Sequence, residues 1–194
     1  LNVTQVHALM LHRPMQLLSS IGEDIWEALL SFKKKKLVKK IGFSIYAPEE
    51  LDQLSSNFKP DIIQAPYNII DQRIKSSGWM EKLHKNNIEI HVRSIFLQGL
   101  LLMERGARPA KFNQWNVLWQ KWEQWLQNQQ LTPLEACLGF VLNESMVNRA
   151  VVGVDSLSQL KEVIKASHAR VSELPSALSM ADKNLINPAN WDKL

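Results

Sequence analysis

The chain has 194 residues, with 23 Lys and Arg against 19 Asp and Glu for a formal net charge of +4. That surplus is too small for the basic surface of a nucleic-acid binder, and 45% hydrophobic with 22% charged residues describes a folded globular protein and excludes a disordered one. The single cysteine, Cys137, can close no intrachain disulfide, and no run approaches the roughly 18–20 apolar residues of a membrane span. His7, His12 and Arg13 interrupt the stretch where a signal peptide needs an apolar core. The expectation is a cytoplasmic protein with neither nucleic acid nor membrane as a partner.

Short β-branched runs alternate with stretches of helical spacing, the pattern of a parallel α/β protein. Val6 to Leu11 reads as a strand stopped by His12-Arg13-Pro14, since proline cannot continue a central strand. From Glu23 to Lys36 the apolar residues Ile25, Trp26, Leu29, Leu30 and Phe32 fall at helical spacing, and Lys33 to Lys36 suit the helix dipole in the last turn. Lys40 to Ile45 is the next strand, and Pro48-Glu49-Glu50 opens a short helix. Asp61 to Ala65 predicts a third strand, Gly78 to Lys85 a helix, and Ile88 to Ser94 a fourth strand. Asn113 to Gln130 predicts a helix with Trp115, Trp119 and Trp122 on one buried face. Pro133 to Leu142 follows as a helix, with Cys137 a small core residue. Arg149 to Val154 reads as a fifth strand and Ser156 to Ala166 as its helix, capped by Ser156. A last short helix is expected over Ala177 to Leu185. No internal repeat or low-complexity linker divides the chain, which reads as a single domain over residues 1–194.

Five βα units in one direction fit either an open doubly wound sheet or part of a (β/α)8 barrel. The seven glycines form no G-x-G-x-x-G turn. Polar residues close successive strands at His12, Ser44, Gln64, Ser94 and Asp155, on the rim that carries the chemistry in a barrel. The barrel is favoured.

Five motifs then resemble the aldo-keto reductases in order and approximate spacing: Leu9 to Pro14, Lys39 to Ser44, Asp61 to Asn68, Arg93 to Leu101, and Val151-Val152-Gly153 with Gln159-Leu160. The similarity runs over about residues 5–166 and corresponds to barrel strands four to eight. It implies an α/β fold, a (β/α)8 TIM barrel represented only by its C-terminal βα units. Five strands cannot close such a barrel, whose full form takes around 250 residues, and the chain starts at Leu1, not Met. The expectation is therefore a piece of a longer polypeptide, or a product that has lost its beginning, whose open face is covered by the missing barrel half or by a homo-oligomer partner.

The resemblance implies a carbonyl reductase that uses NADP or NAD on a small aldehyde or ketone. His12 takes the place of the active-site histidine that orients the carbonyl. The family's proton-donating tyrosine, its lysine and its aspartate have no counterpart in these residues. Ser44 and Gln64 match contacts to the nicotinamide carboxamide, with Ile45 where an asparagine is usual. Arg93 stands where a tyrosine often stacks under the nicotinamide, and a guanidinium plane can stack there too. Ser94, Phe96 and Gln98 fall in the segment around the pyrophosphate. Gly153, Gln159 and Glu162 fall at the adenosine end. There Asp155 replaces a basic or small polar residue, Gln159 a common arginine and Val163 an asparagine. A carboxylate repels a 2′-phosphate, so preference moves toward NAD or binding weakens.

The same gaps permit a rival, a non-catalytic binding or regulatory module on a degenerate or truncated barrel. No metal site is expected. His7 and His91 read as strand residues under helices, His84 and His168 as exposed, and the lysines from Lys33 to Lys40 as a solvated helix end.

Overall fold

The computed structural model describes residues 2–171 and 178–194. The chain forms two compact units, residues 1–66 with 73–92, and residues 67–72 with 93–194. The fold is α/β with parallel strands. No helix among the described residues is long and apolar enough to cross a membrane.

In the first unit β1 (Val6–Leu11), β2 (Val38–Ser44), β3 (Ile62–Pro66) and the body of β4 (Glu89–Arg93) lie side by side in chain order. β1 and β2 pair in parallel through Met10 opposite Gly42 and Leu11 opposite Phe43, and β2 and β3 through Ser44 opposite Gln64. Helices return the chain between strands, as parallel pairing requires. Helix α1 (Gly22–Lys34) has Glu23 and Asp24 in its first turn and Lys33 and Lys34 in its last, matching the dipole at both ends. It buries Trp26 and Leu29, with the Trp26 ring 6.0 Å from Phe43 and 5.6 Å from Phe58. Lys33 donates to Asp61 at 2.6 Å, and Asp61 accepts from the Ile41 amide at 3.0 Å, so one carboxylate ties α1 to two strands. Helix α2 (Glu49–Leu54) starts where Glu50 accepts from the amides of Tyr46 and Ala47. Helix α4 (Trp79–Lys85) is joined to α2 by the Trp79 indole, which donates to Asp52 at 2.9 Å. The four-residue helix α3 (Arg73–Ser76) and the 3-10 turn Pro14–Leu18 have no apolar period long enough to predict.

Two expectations for this unit are refined. His7 and His91 do more than fill strand positions, since both side chains reach the Glu89 carboxylate, at 3.0 and 2.6 Å. Ile90, His91 and Val92 are all buried, and the period of two puts Glu89 and His91 on one face and Ile90 and Val92 on the other. The lysine run is only partly solvated, because Lys33 pairs with Asp61 and Lys40 with Glu89.

In the second unit helix α5 (Asn116–Gln129) follows a 3-10 turn, Ala110–Trp115, and buries Trp119 and Trp122 as the tryptophan spacing predicts. Arg108 lies over the Trp119 ring at 4.8 Å and pairs with Glu123 at 2.7 Å. Helix α6 (Pro133–Leu142) opens on a Thr132–Glu135 capping box with Pro133 in its first turn. Its residues Ala136 to Val141 are buried, Cys137 among them, and Phe140 packs on Tyr67 at 5.1 Å. Burial raises both the Cys137 thiol and the Tyr67 phenol well above their ordinary pKa values.

The fifth strand, β5, is two residues long, Arg149–Ala150, and not the six expected. Val151 and Val152 favour a strand by propensity, but context overrides it, and they leave the ladder to wall a groove. Helix α7 (Leu157–Ala166) begins at Ser156, whose hydroxyl accepts from the Gln159 amide as predicted. The start of the expected helix over Ala177 to Leu185 lies outside the described residues, and the helix that is described, α8, spans Lys183–Ile186.

Candidate functional site

In the first unit two predicted residues stand at the carboxyl ends of adjacent parallel strands, and a third lies within the next strand. His12 directly follows β1, Ser44 ends β2, and Gln64 lies opposite Ser44 in β3. The Ser44 hydroxyl donates to the Gln64 side-chain oxygen at 3.2 Å. The Gln64 side-chain oxygen is thereby used as an acceptor, and its NH2 group keeps donor capacity. Ser44 is buried, so its pairing with Gln64 also avoids the cost of an unsatisfied hydroxyl.

His12 meets a residue that the motifs did not single out. The Tyr46 hydroxyl is 3.4 Å from His12 Nε2, and the two rings meet edge to face at 80°. The Tyr46 backbone is fixed by Glu50, which accepts from its amide, and by Arg73, which donates to its carbonyl at 3.2 Å. Tyr46 follows Ile45, the position read only as a lost asparagine. A phenol two residues beyond a strand-end serine is the signal that could have found it.

In the second unit seven predicted cofactor residues line one groove of about 720 Å³: Arg93, Ser94, Phe96, Gln98, Gly153, Gln159 and Glu162. Asp155 and Val163 line it as well. One wall is the loop after β4, in which Ser94, Leu97, Gln98 and Gly99 have φ of 58°, 47°, 54° and 84°. Three of these are not glycine, and each such residue costs on the order of 1–3 kcal/mol. Strain of that kind persists where surrounding contacts over-determine it. Asn68 supplies them: its side-chain NH2 donates to the Ser94 carbonyl at 2.9 Å, while its side-chain oxygen accepts from the amides of Ile70 and Asp71. Arg93 in turn donates to the Ser94 hydroxyl at 3.1 Å. A chain that turns repeatedly through left-handed residues can present backbone N–H groups to an anion.

The other wall comes from the segment after β5 and the start of α7. The Asp155 amide donates to the Gln159 side-chain oxygen at 2.7 Å, and Glu162 accepts from Ser158 at 3.0 Å. Gln159 therefore serves first as a cap for its own helix. The groove residues carry one guanidinium, Arg93, against two carboxylates, Asp155 and Glu162. That balance is net acidic and opposes a phosphate monoester beside Asp155 and Glu162, while the N-terminus of a ten-residue helix forms part of the same wall.

Residues 1–175 match the Aldo/keto reductase family. Among solved structures, an aldo-keto reductase from Bacillus halodurans in its holo form superposes with a TM-score of 0.64 at 17% identity, covering 88% of this chain and 58% of its own. A mutant of Gox0644 in complex with NADPH gives 0.64 at 16% identity over 92% of this chain and 59% of its own. A thermostable aldo-keto reductase in complex with the inhibitor epalrestat gives 0.61 at 19%, over 87% and 56%. The chain thus spans somewhat under three fifths of the length of these structures. A comparison with curated proteins finds no match.

Proposed function

Because the chain belongs to the aldo/keto reductase family, we propose that it carries the histidine and the dinucleotide-binding part of a cytoplasmic oxidoreductase that reduces an aldehyde or ketone. The observation that carries this reading is the groove of the second unit, in which seven residues chosen by motif stand together around a strained loop and a helix N-terminus. When bound there, a nicotinamide dinucleotide supplies the hydride. The groove residues would hold it, Arg93 and the amides around Ser94 on the diphosphate and Glu162 at the adenosine; in the first unit, the resemblance assigns Ser44 and Gln64 to the carboxamide. His12 would face the carbonyl oxygen. The single cysteine, buried in α6, needs no oxidising compartment.

The two groove carboxylates make the cofactor preference testable. NAD(H) and NADP(H) are expected to bind with little difference in favour of NADP(H), measured by quenching of the indole fluorescence. Asp155→Lys should move the ratio toward NADP(H) by about tenfold, roughly 1.4 kcal/mol. A parent preference for NADP(H) above about 100-fold, or 2.7 kcal/mol, would show that Asp155 does not lie at the 2′-position.

The first unit exposes large apolar side chains, including Met15, Leu18 and Ile21 before α1 and Leu30 and Phe32 on it. Such surface marks an interface. We propose that the missing barrel half or a second copy of the chain covers it. Alone, the 194-residue polypeptide is expected to sediment as a dimer or larger species, and a stable monomer across micromolar concentrations would remove the proposal.

The rival reading, a binding module without chemistry, shares the groove and differs at His12. It predicts dinucleotide binding with no effect of His12 substitutions on any turnover.

A further inference from the structure

The polar cluster at the start of β4 lies outside everything assigned so far. Glu89 and His91 are two residues apart in β4, and His7 comes from β1, 82 residues earlier. His91 Nε2 is 2.6 Å from Glu89 Oε1, and His7 Nε2 is 3.0 Å from both carboxylate oxygens. The two imidazole planes are parallel to within 3°, with centroids 6.4 Å apart. The opposite oxygen, Oε2, accepts from Lys40 at 2.5 Å. Burial of the Glu89 carboxyl disfavours its charge, but the hydrogen bonds from Lys40, His91 and His7 outweigh this and bring its pKa down to about 2.

Interior positions of a barrel are ordinarily filled by Val, Ile and Leu, so this convergence calls for a chemical reason. One donor atom from each of His7, Glu89 and His91 falls within 4.8 Å of the others. Two imidazoles and a carboxylate are the donor set of a borderline divalent ion, and catalytic zinc sites use His2Glu with water in the fourth position. Tetrahedral bonds of 2.0–2.1 Å place donor atoms roughly 3.3 Å apart. The observed 2.6 and 3.0 Å from Glu89 Oε1 to the two imidazoles need only a slight opening, and the two imidazoles each offer a nitrogen within 4.8 Å of the other. Lys40 occupies Oε2 and so leaves Oε1 to face the two nitrogens, as a hydrogen-bonded outer partner of a ligating carboxylate does. The His7 side chain is 46% exposed, which gives an ion a way in.

We propose that His7 Nε2, His91 Nε2 and Glu89 Oε1 bind one divalent transition-metal ion of the zinc class, completed by water, as a clip between β1 and β4. Binding replaces the direct contacts of the two imidazoles with Glu89 by bonds from all three side chains to one ion. The site is independent of the dinucleotide groove, and its readout is independent of any turnover.

The test uses the untagged 194-residue chain, stripped with chelator and titrated with ZnCl2 by calorimetry, with visible absorption of CoCl2 as a second probe. One equivalent of zinc is expected to bind and to raise the melting temperature. Loss of an outer-shell partner costs about 10–100-fold in metal affinity, so His7→Ala and His91→Ala, each removing a ligand, should lose about 100-fold or more. His84→Ala, on the exposed face of α4, should bind like the parent. His7 is exposed enough that its variant keeps the fold even if His91→Ala does not, and a metal-free melt of His7→Ala checks this. No zinc binding by the parent at about 100 µM would show a hydrogen-bonded cluster and nothing more. Parent-like binding by His7→Ala would overturn the site equally.

Discussion

Gly42→Ala is expected to cost this protein about 3 kcal/mol or more of stability, at the upper end of what overpacking a core costs. A Cβ at position 42 would lie 1.8 Å from the Ile62 carbonyl oxygen and 2.8 Å from its carbon, where real Cβ atoms do not come below 3.0 Å. The obstacle is backbone and cannot rotate away. Gly42 sits opposite both Met10 and Ile62, so relief requires β2 to move off β3. Two residues further on, that movement would stretch the 3.2 Å bond between Ser44 and Gln64, linking a packing defect to the predicted carboxamide contact. For a chain of this size the loss should lower the melting temperature by roughly 6–12 °C. Gly153→Ala, where an added Cβ meets nothing within 4 Å, is the control. A Gly42→Ala melt within about 2 °C of the parent would show that the strands can separate without strain, against the tight interior packing of parallel sheets.

The close approach at Gly42 shows where sequence reading reaches its limit. The strand expected over Lys40 to Ile45 was legible because its apolar residues are bounded by lysines on one side and Ala47-Pro48 on the other, and the structure gives Val38–Ser44. That its glycine is required by a neighbouring carbonyl depends on β3, twenty residues away. The helices α6 and α7 were legible almost end to end, since a cap and an apolar period agree there, and α1 was legible from its apolar period and dipole-matched charges; the expected helix from Asn113 has its first turn as 3-10, and α5, with no side-chain cap, starts only at Asn116. β5 was overestimated because Val151 and Val152 carry strand propensity wherever they stand, and nothing local tells a ladder from a groove wall. The histidines divide the same way. His12 could be singled out because Arg13-Pro14 ends its strand and the surrounding motif gives it a place, and the structure sets it directly after β1 beside Tyr46. The meeting of His7 with Glu89 and His91 rests on pairs 82 and 84 positions apart, beyond any local pattern. Asn68 stood inside a quoted motif, yet its task, holding the strained Ser94 backbone, is visible only once φ at Ser94 is known.

The largest functional effect is expected at His12. Reduction of a carbonyl needs a hydride and a proton delivered to one bond, and a positioned acid contributes about 10²–10⁴-fold to such a step. In the barrel-completed protein, His12→Ala should therefore lower kcat by at least about 100-fold while dinucleotide affinity changes less than about twofold, the signature of an interaction made in the transition state. The side chain stands at the end of β1, and the groove residues that would hold the dinucleotide belong to other segments. Tyr46→Phe should cost less, about 3–10-fold, because its hydroxyl acts through His12 at 3.4 Å and its backbone remains held by Glu50 and Arg73. The 194-residue chain by itself is expected to bind dinucleotide and to reduce no aldehyde, since the imidazole lacks the tuned phenol that the family places beside it. Steady-state turnover of an aldehyde panel at saturating cofactor decides among these. Turnover by the short chain that disappears in His12→Ala would make the His12 and Tyr46 pair the acid in its own right. Equal kcat for parent and His12→Ala in the completed barrel would take His12 out of the site and leave the groove as a binding module.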